Sequence, residues 1–111
     1  MKMVNRGVVV ISYKGPFLDW LTRLSVPTDV TDFDEISTYL IPDYEDDDDA
    51  EEFLKRNFKK IFLQEMEIWC ANESEWEQNI SWDKFLMWFH LEYSAILFDM
   101  AEGKIMHEDS E

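Results

Sequence analysis

The chain has 111 residues, with ten Lys and Arg against twenty-five Asp and Glu and a formal charge of −15. That length suffices for one hydrophobic core but not for two. The charge opposes direct binding to DNA, RNA or an anionic membrane, because such affinity rests on Lys and Arg neutralising phosphate. Fifteen per cent of the residues are aromatic, each able to bury roughly 150–250 Å², which excludes an acidic disordered tail.

The first residues, MKMVNRGVVVIS, set positive charges before an apolar run, as a signal peptide does. The run Val8–Ile11 is only four residues, short of the roughly 7–15 such a leader needs. Gly7 to Tyr13 instead concentrates β-branched residues in the manner of a buried strand, expected over Val8–Tyr13. Gly15-Pro16 punctuates the chain, and Pro16 can open a helix because its missing N–H costs nothing in the first turn. That helix, PFLDWLTRL, aligns Phe17, Leu21 and Leu24 and is stopped by Pro27.

Residues 28–37 are polar apart from Phe33 and Ile36, and the spacing of Thr31 and Asp34 predicts one short helical turn. Ser37 to Ile41 reads as a second strand ended by Pro42, with Thr38–Ile41 as its core. Two strands separated by a helix fit a right-handed crossover with parallel strands, an antiparallel pair being the alternative. The run DYEDDDDAEE, residues 43–52, reads either as the negatively charged start of a helix, capped by one of Asp46, Asp47, Asp48 and Asp49, or as a cation site or docking patch made by those four carboxylates. From Asp49 to Ala71 the pattern is amphipathic. Phe53, Leu54, Phe58, Ile61, Phe62, Glu65 and Trp69 share one side, Glu65 being its polar interruption, and Lys55, Arg56, Lys59 and Lys60 lie outside. Asn72 is a natural stop, and Trp76 is expected to pin the following loop to the core.

Ser81 to Gly103 reads as one long helix capped by Ser81, with Ile80 and Phe85 as a staple and Gly103 as the residue after its end. Its apolar residues fall in two stripes. One runs through Trp82, Phe85, Phe89, Tyr93, Ile96 and Met100; the other comprises Trp88, Leu91, Ala95 and Phe98. The second stripe is expected either to meet the sheet or to form a homodimer interface. The tail from Lys104 is short enough to fray, with an edge strand over Lys104 to His107 as the alternative.

Nothing in this pattern supplies a catalytic constellation, a cofactor site or a metal site. Cys70 excludes an intrachain disulfide and points to a reducing, cytoplasmic setting. It is also too far along an antiparallel helix pair to serve His90 as a nucleophile. Counting from Asp43, the acidic run has Asp48 where a calcium loop needs glycine and Leu54 where it needs glutamate. No Glu-x-x-His precedes either histidine, and there is no glycine-rich phosphate loop. A pair of buried carboxylates, Glu65 and Glu92, is the remaining route to an enzyme.

The segments PFLDWL, TYLIPDYEDDDDAEEFL and WEQNISWDKFLMWFHLEY resemble those of small acidic bacterial proteins of about this length to which no function is attached. The resemblance implies a bacterial cytosolic origin and transfers no residue roles. The expected fold is a single α+β domain over residues 1–111, a small two-stranded sheet covered by an antiparallel pair of long C-terminal helices. The expected function is non-enzymatic: an acidic regulatory protein that binds a basic protein partner. A self-associating accessory protein, dimerising through the last helix, is the alternative.

Overall fold

Arg6–Tyr13 is the strand around which the chain folds in a computed structural model that describes residues 1–25 and 36–108. In chain order the elements are β1 (Lys2–Met3), β2 (Arg6–Tyr13), α1 (Gly15–Thr22), β3 (Ile36–Pro42), α2 (Asp47–Trp69), a 3₁₀ turn (Glu73–Glu75), α3 (Trp82–Trp88), β4 (Phe89–Ser94) and β5 (Phe98–Asp99). The architecture is α+β with two sheets. One is antiparallel in the order β3-β2-β4, and the other is the short pair β1-β5.

Two expectations are corrected here. The strands Val8–Tyr13 and Thr38–Ile41 do not make a parallel two-stranded sheet. β2 and β3 pair antiparallel from Arg6↔Pro42 to Ser12↔Ile36, and a third strand flanks β2 on the other side. Nor is there an antiparallel pair of long C-terminal helices. The segment expected as one helix from Ser81 to Gly103 is helical only over Trp82–Trp88 and then runs as β4 and β5.

The physical reason lies at Trp88. The amide of Lys14 donates to the Trp88 carbonyl at 2.9 Å, and from Phe89 onward the chain pairs with β2, Tyr13↔Phe89 through Val8↔Ser94. Pairing satisfies the β2 edge that a continued helix would leave bare. Phe89, Leu91 and Tyr93 turn to the core while His90 and Glu92 face out. That alternation is the period of a half-buried strand. Gly103 has φ +89°, the left-handed region glycine tolerates, but it lies in the irregular segment after β5 and ends no helix. The tail Lys104–His107 makes no strand. Pro27 and the turn expected around Thr31 and Asp34 lie outside the described residues.

One sheet face carries the core. Val9 and Ile11 are fully buried, Ile41 nearly so, and α1, α2 and α3 close over them. α2 spans Asp47–Trp69 and buries Ala50, Leu54, Phe58, Ile61, Phe62, Glu65 and Met66, leaving Lys55, Arg56, Lys59 and Lys60 exposed. α1 opens with Pro16 in its first turn and buries Phe17, Trp20 and Leu21. Phe17 stacks on Tyr13 at 4.1 Å between ring centres and contacts Trp20, Trp88 and Phe89; Phe62 meets Phe85, Trp88 and Phe89. Each such pair adds about 0.5–1.5 kcal/mol beyond the area it buries.

Loop anchors use the same aromatic residues. Trp76 Nε1 donates to the Cys70 carbonyl at 2.8 Å, and Trp20 Nε1 to the Glu75 carbonyl at 2.9 Å. Ser81 Oγ accepts from the Lys84 amide at 3.1 Å and caps α3 as expected. No helix among the described residues is long and apolar enough to cross a membrane.

Candidate functional site

Pro42 ends β3, and the next turn brings the acidic run to the surface. Asp43 Oδ1 accepts from the Tyr44 amide at 3.1 Å, and Asp46 Oδ1 accepts from the Asp48 amide at 2.8 Å, so Asp46 caps α2. Asp47, Asp48 and Asp49 occupy the first turn, where carboxylates are favoured by the positive end of the helix dipole. All four side chains, Asp46 to Asp49, are exposed, while Ala50 just behind them is buried.

Two tyrosines border this patch. The Tyr44 ring lies over β2, where only glycine leaves room: a Cβ on Gly7 would sit 2.5 Å from Tyr44 Cε1. Burial raises the Tyr44 phenol above its ordinary value, and Asp47 raises it further. Tyr93, on β4, is raised first by burial and then by Glu51, Asp47 and Tyr44. Asp47, Glu51, Tyr44 and Tyr93 therefore share one negative field. Among the described residues Lys84 and Glu77 form an ion pair at 3.5 Å and His90 Nε2 lies 3.3 Å from Glu92 Oε1, and neither contact touches the patch. No group of three or more His, Cys, Asp or Glu side chains among the described residues is arranged to hold a metal ion.

A second polar cluster sits in the core. Glu65 is fully buried on α2. Its Oε1 accepts from Tyr13 Oη and from Ser37 Oγ, each at 2.9 Å, and its Oε2 accepts from the Tyr39 hydroxyl. Trp69 Nε1, one turn further along α2, donates to Tyr13 Oη at 2.9 Å. A buried carboxylate requires such donors. The Tyr39 phenol is pushed far above its ordinary value, chiefly by burial and then by its bond to Glu65, the Glu65 charge and Tyr13. Tyr39 therefore holds its proton. Chemically the cluster ties β2, β3 and α2 together through one acceptor. The donors lie 52, 28 and 26 residues away along the chain. The signal for them in the sequence was the unexplained carboxylate on an otherwise apolar stripe.

The remaining site residues fall in separate places. Glu92 is exposed on the outer sheet face, so it forms no pair with buried Glu65. Trp88, Leu91, Ala95 and Phe98 do not form a stripe. Trp88 is buried at the end of α3, Leu91 is half-buried on β4, Ala95 is exposed after it, and Phe98 is half-exposed on β5. Cys70 caps the end of α2, its Sγ 3.5 Å from the Asn72 carbonyl and 3.9 Å from Glu75 Oε2, while His90 pairs with Glu92.

No family model matches the chain, and neither the curated proteins nor the solved structures include a detectable relative.

Proposed function

We propose that the protein is a non-enzymatic interaction protein that docks through its acidic surface onto a basic protein partner. The observation that carries this reading is the exposed run Asp46–Asp49 at the start of α2, bordered by Tyr44 and Tyr93 and not engaged by any cation among the described residues. A field of one sign speeds encounter with a partner of the opposite sign and rejects like-charged competitors. Tyrosines beside it supply rigid contact area at low entropic cost, and their faces accept Lys or Arg. On this reading the lone cysteine belongs in a reducing cytosol.

The test is affinity capture with the full chain at low and at physiological salt, against a variant carrying Asp47→Asn, Asp48→Asn and Asp49→Asn. Asp46 is kept so that the helix cap survives. The expected result is a basic protein retained by the wild type, weakened by salt and lost with the variant. A partner that binds both chains equally, or capture of none, counts against the proposal.

A further inference from the structure

β3 is an edge strand with no charge on it. Ile36–Pro42 reads ISTYLIP in a chain that is 32% charged, whereas the opposite edge, β4, carries His90 and Glu92. Exposed strand edges are ordinarily guarded by charge against pairing with another chain, and β3 has no such guard. Ile36 and Leu40 are 61% and 50% exposed.

Pro42 reveals which backbone groups face outward. It has no N–H, so Arg6↔Pro42 is a pair without mutual hydrogen bonds. The antiparallel alternation then makes Gly7↔Ile41, Val9↔Tyr39 and Ile11↔Ser37 the bonded pairs. The N–H and C=O groups of Ile36, Thr38 and Leu40 point away from β2. Among the described residues no strand pairs with that edge. Beside it runs a groove of about 270 Å³ whose lining includes Tyr39 and Ile41 from β3 and Phe53, Asn57, Lys60 and Ile61 from α2.

We infer that this edge receives an extended segment of the basic partner as a fourth strand, with alternate apolar side chains of the segment entering the groove between β3 and α2. The backbone groups of Ile36, Thr38 and Leu40 supply the ladder, and the groove supplies side-chain selection. Charge selects the occupant. Past Pro42 the strand leads into the exposed carboxylates Asp43 and Glu45. A second copy brings the same formal charge of −15 to the pairing, so the two chains repel. A segment with an uncharged alternating core and Lys or Arg at the end beside Asp43 and Glu45 meets an opposite charge instead. The sign of the partner's charge rests on the acidic-docking reading above; the strand addition rests on the edge itself.

The experiment uses the full chain and a fluorescent peptide whose core alternates valine and threonine between terminal lysines, with a glutamate-ended peptide for comparison. Anisotropy reads affinity, and amide hydrogen exchange reads the site. The lysine-ended peptide is expected to bind about tenfold or more tighter than its counterpart and to slow exchange at Thr38 and Leu40. Thr38→Pro removes an outward N–H without breaking the β2 ladder, and is expected to weaken binding by about tenfold or more. Leu40→Lys places a like charge on the exposed edge, serves if the proline variant fails to fold, and is expected to weaken binding similarly.

No binding of the lysine-ended peptide overturns the inference, as does binding without slowed exchange at Thr38 and Leu40. Full protection of those amides before peptide is added also overturns it, since the edge is then already occupied. Binding that survives both edge variants but disappears with Asp47→Asn, Asp48→Asn and Asp49→Asn overturns strand addition and leaves acidic docking standing. Equal binding of the two peptides, with slowed exchange at Thr38 and Leu40, overturns acidic docking and leaves the edge site standing.

Discussion

The first turn of α2 and the turn around Glu65, about five helical turns apart, handle negative charge in opposite ways. Asp46–Asp49 crowd four carboxylates at the surface, where water and the helix dipole stabilise them. Glu65 is a single carboxylate closed off from bulk solvent, and three hydroxyl groups from β2 and β3 donate to it instead. The comparison teaches that residue type alone does not assign a role. An exposed carboxylate contributes little to stability and remains available to a partner, whereas the buried one is committed to the fold.

The largest effect that would break this contrast is at Glu65. Glu65→Ala leaves a cavity and strands the hydroxyls of Ser37 and Tyr39, and is expected to cost about 3–5 kcal/mol in denaturant unfolding. A loss below about 1 kcal/mol would show that the cluster is not holding the sheet to α2. Tyr39→Phe removes one donor from the buried carboxylate and is expected to cost about 1.5–3 kcal/mol.

Tyr39 also sets a pH dependence. Its folded-state value is raised, so the folded state retains a proton that the unfolded chain releases near its ordinary value of about 10. Stability is therefore full below that pH and falls as pH rises above it. The Phe variant should lose this contribution to the alkaline slope, and unchanged alkaline melts in the two proteins would contradict the assignment.

Smaller effects belong to the other end of the helix. Asp46→Ala removes the cap bond to the Asp48 amide and is expected to cost about 1 kcal/mol. Neutralising Asp47, Asp48 and Asp49 together is expected to shift stability by less than the Tyr39 change, because the lost dipole attraction is offset by relief of repulsion among them. If their removal destabilised the chain as much as loss of Glu65 does, the distinction between a surface patch and a structural carboxylate would fail.

Much of the local structure was legible in the residues. β-branched density marked β2, Pro16 marked the start of α1, the amphipathic repeat marked α2, and Ser81 marked the cap of α3, each through a short-range steric or hydrogen-bonding preference. The acidic run was legible as well, both as a helix start and as a surface patch. Glu65 was legible only as an anomaly, because the hydroxyls that accommodate it come from strands distant in sequence.

The segment after Trp88 shows where short-range reading stops. Phe89, Leu91 and Tyr93 satisfy the alternation of a strand, while Phe89 and Tyr93, with Phe85 and Trp82, satisfy the spacing of a helix. Local preference left both conformations open. The tertiary structure decided between them because β2 has a second edge whose backbone groups need partners, and residues 89–94 supply them. By itself the sequence determined an α+β chain with an aromatic core, a strong excess of acidic residues and the cap of α3 at Ser81. Only the tertiary structure decided the antiparallel strand order, the burial of Glu65 among hydroxyls and the uncharged edge of β3, since each depends on which distant segments satisfy one another's hydrogen bonds.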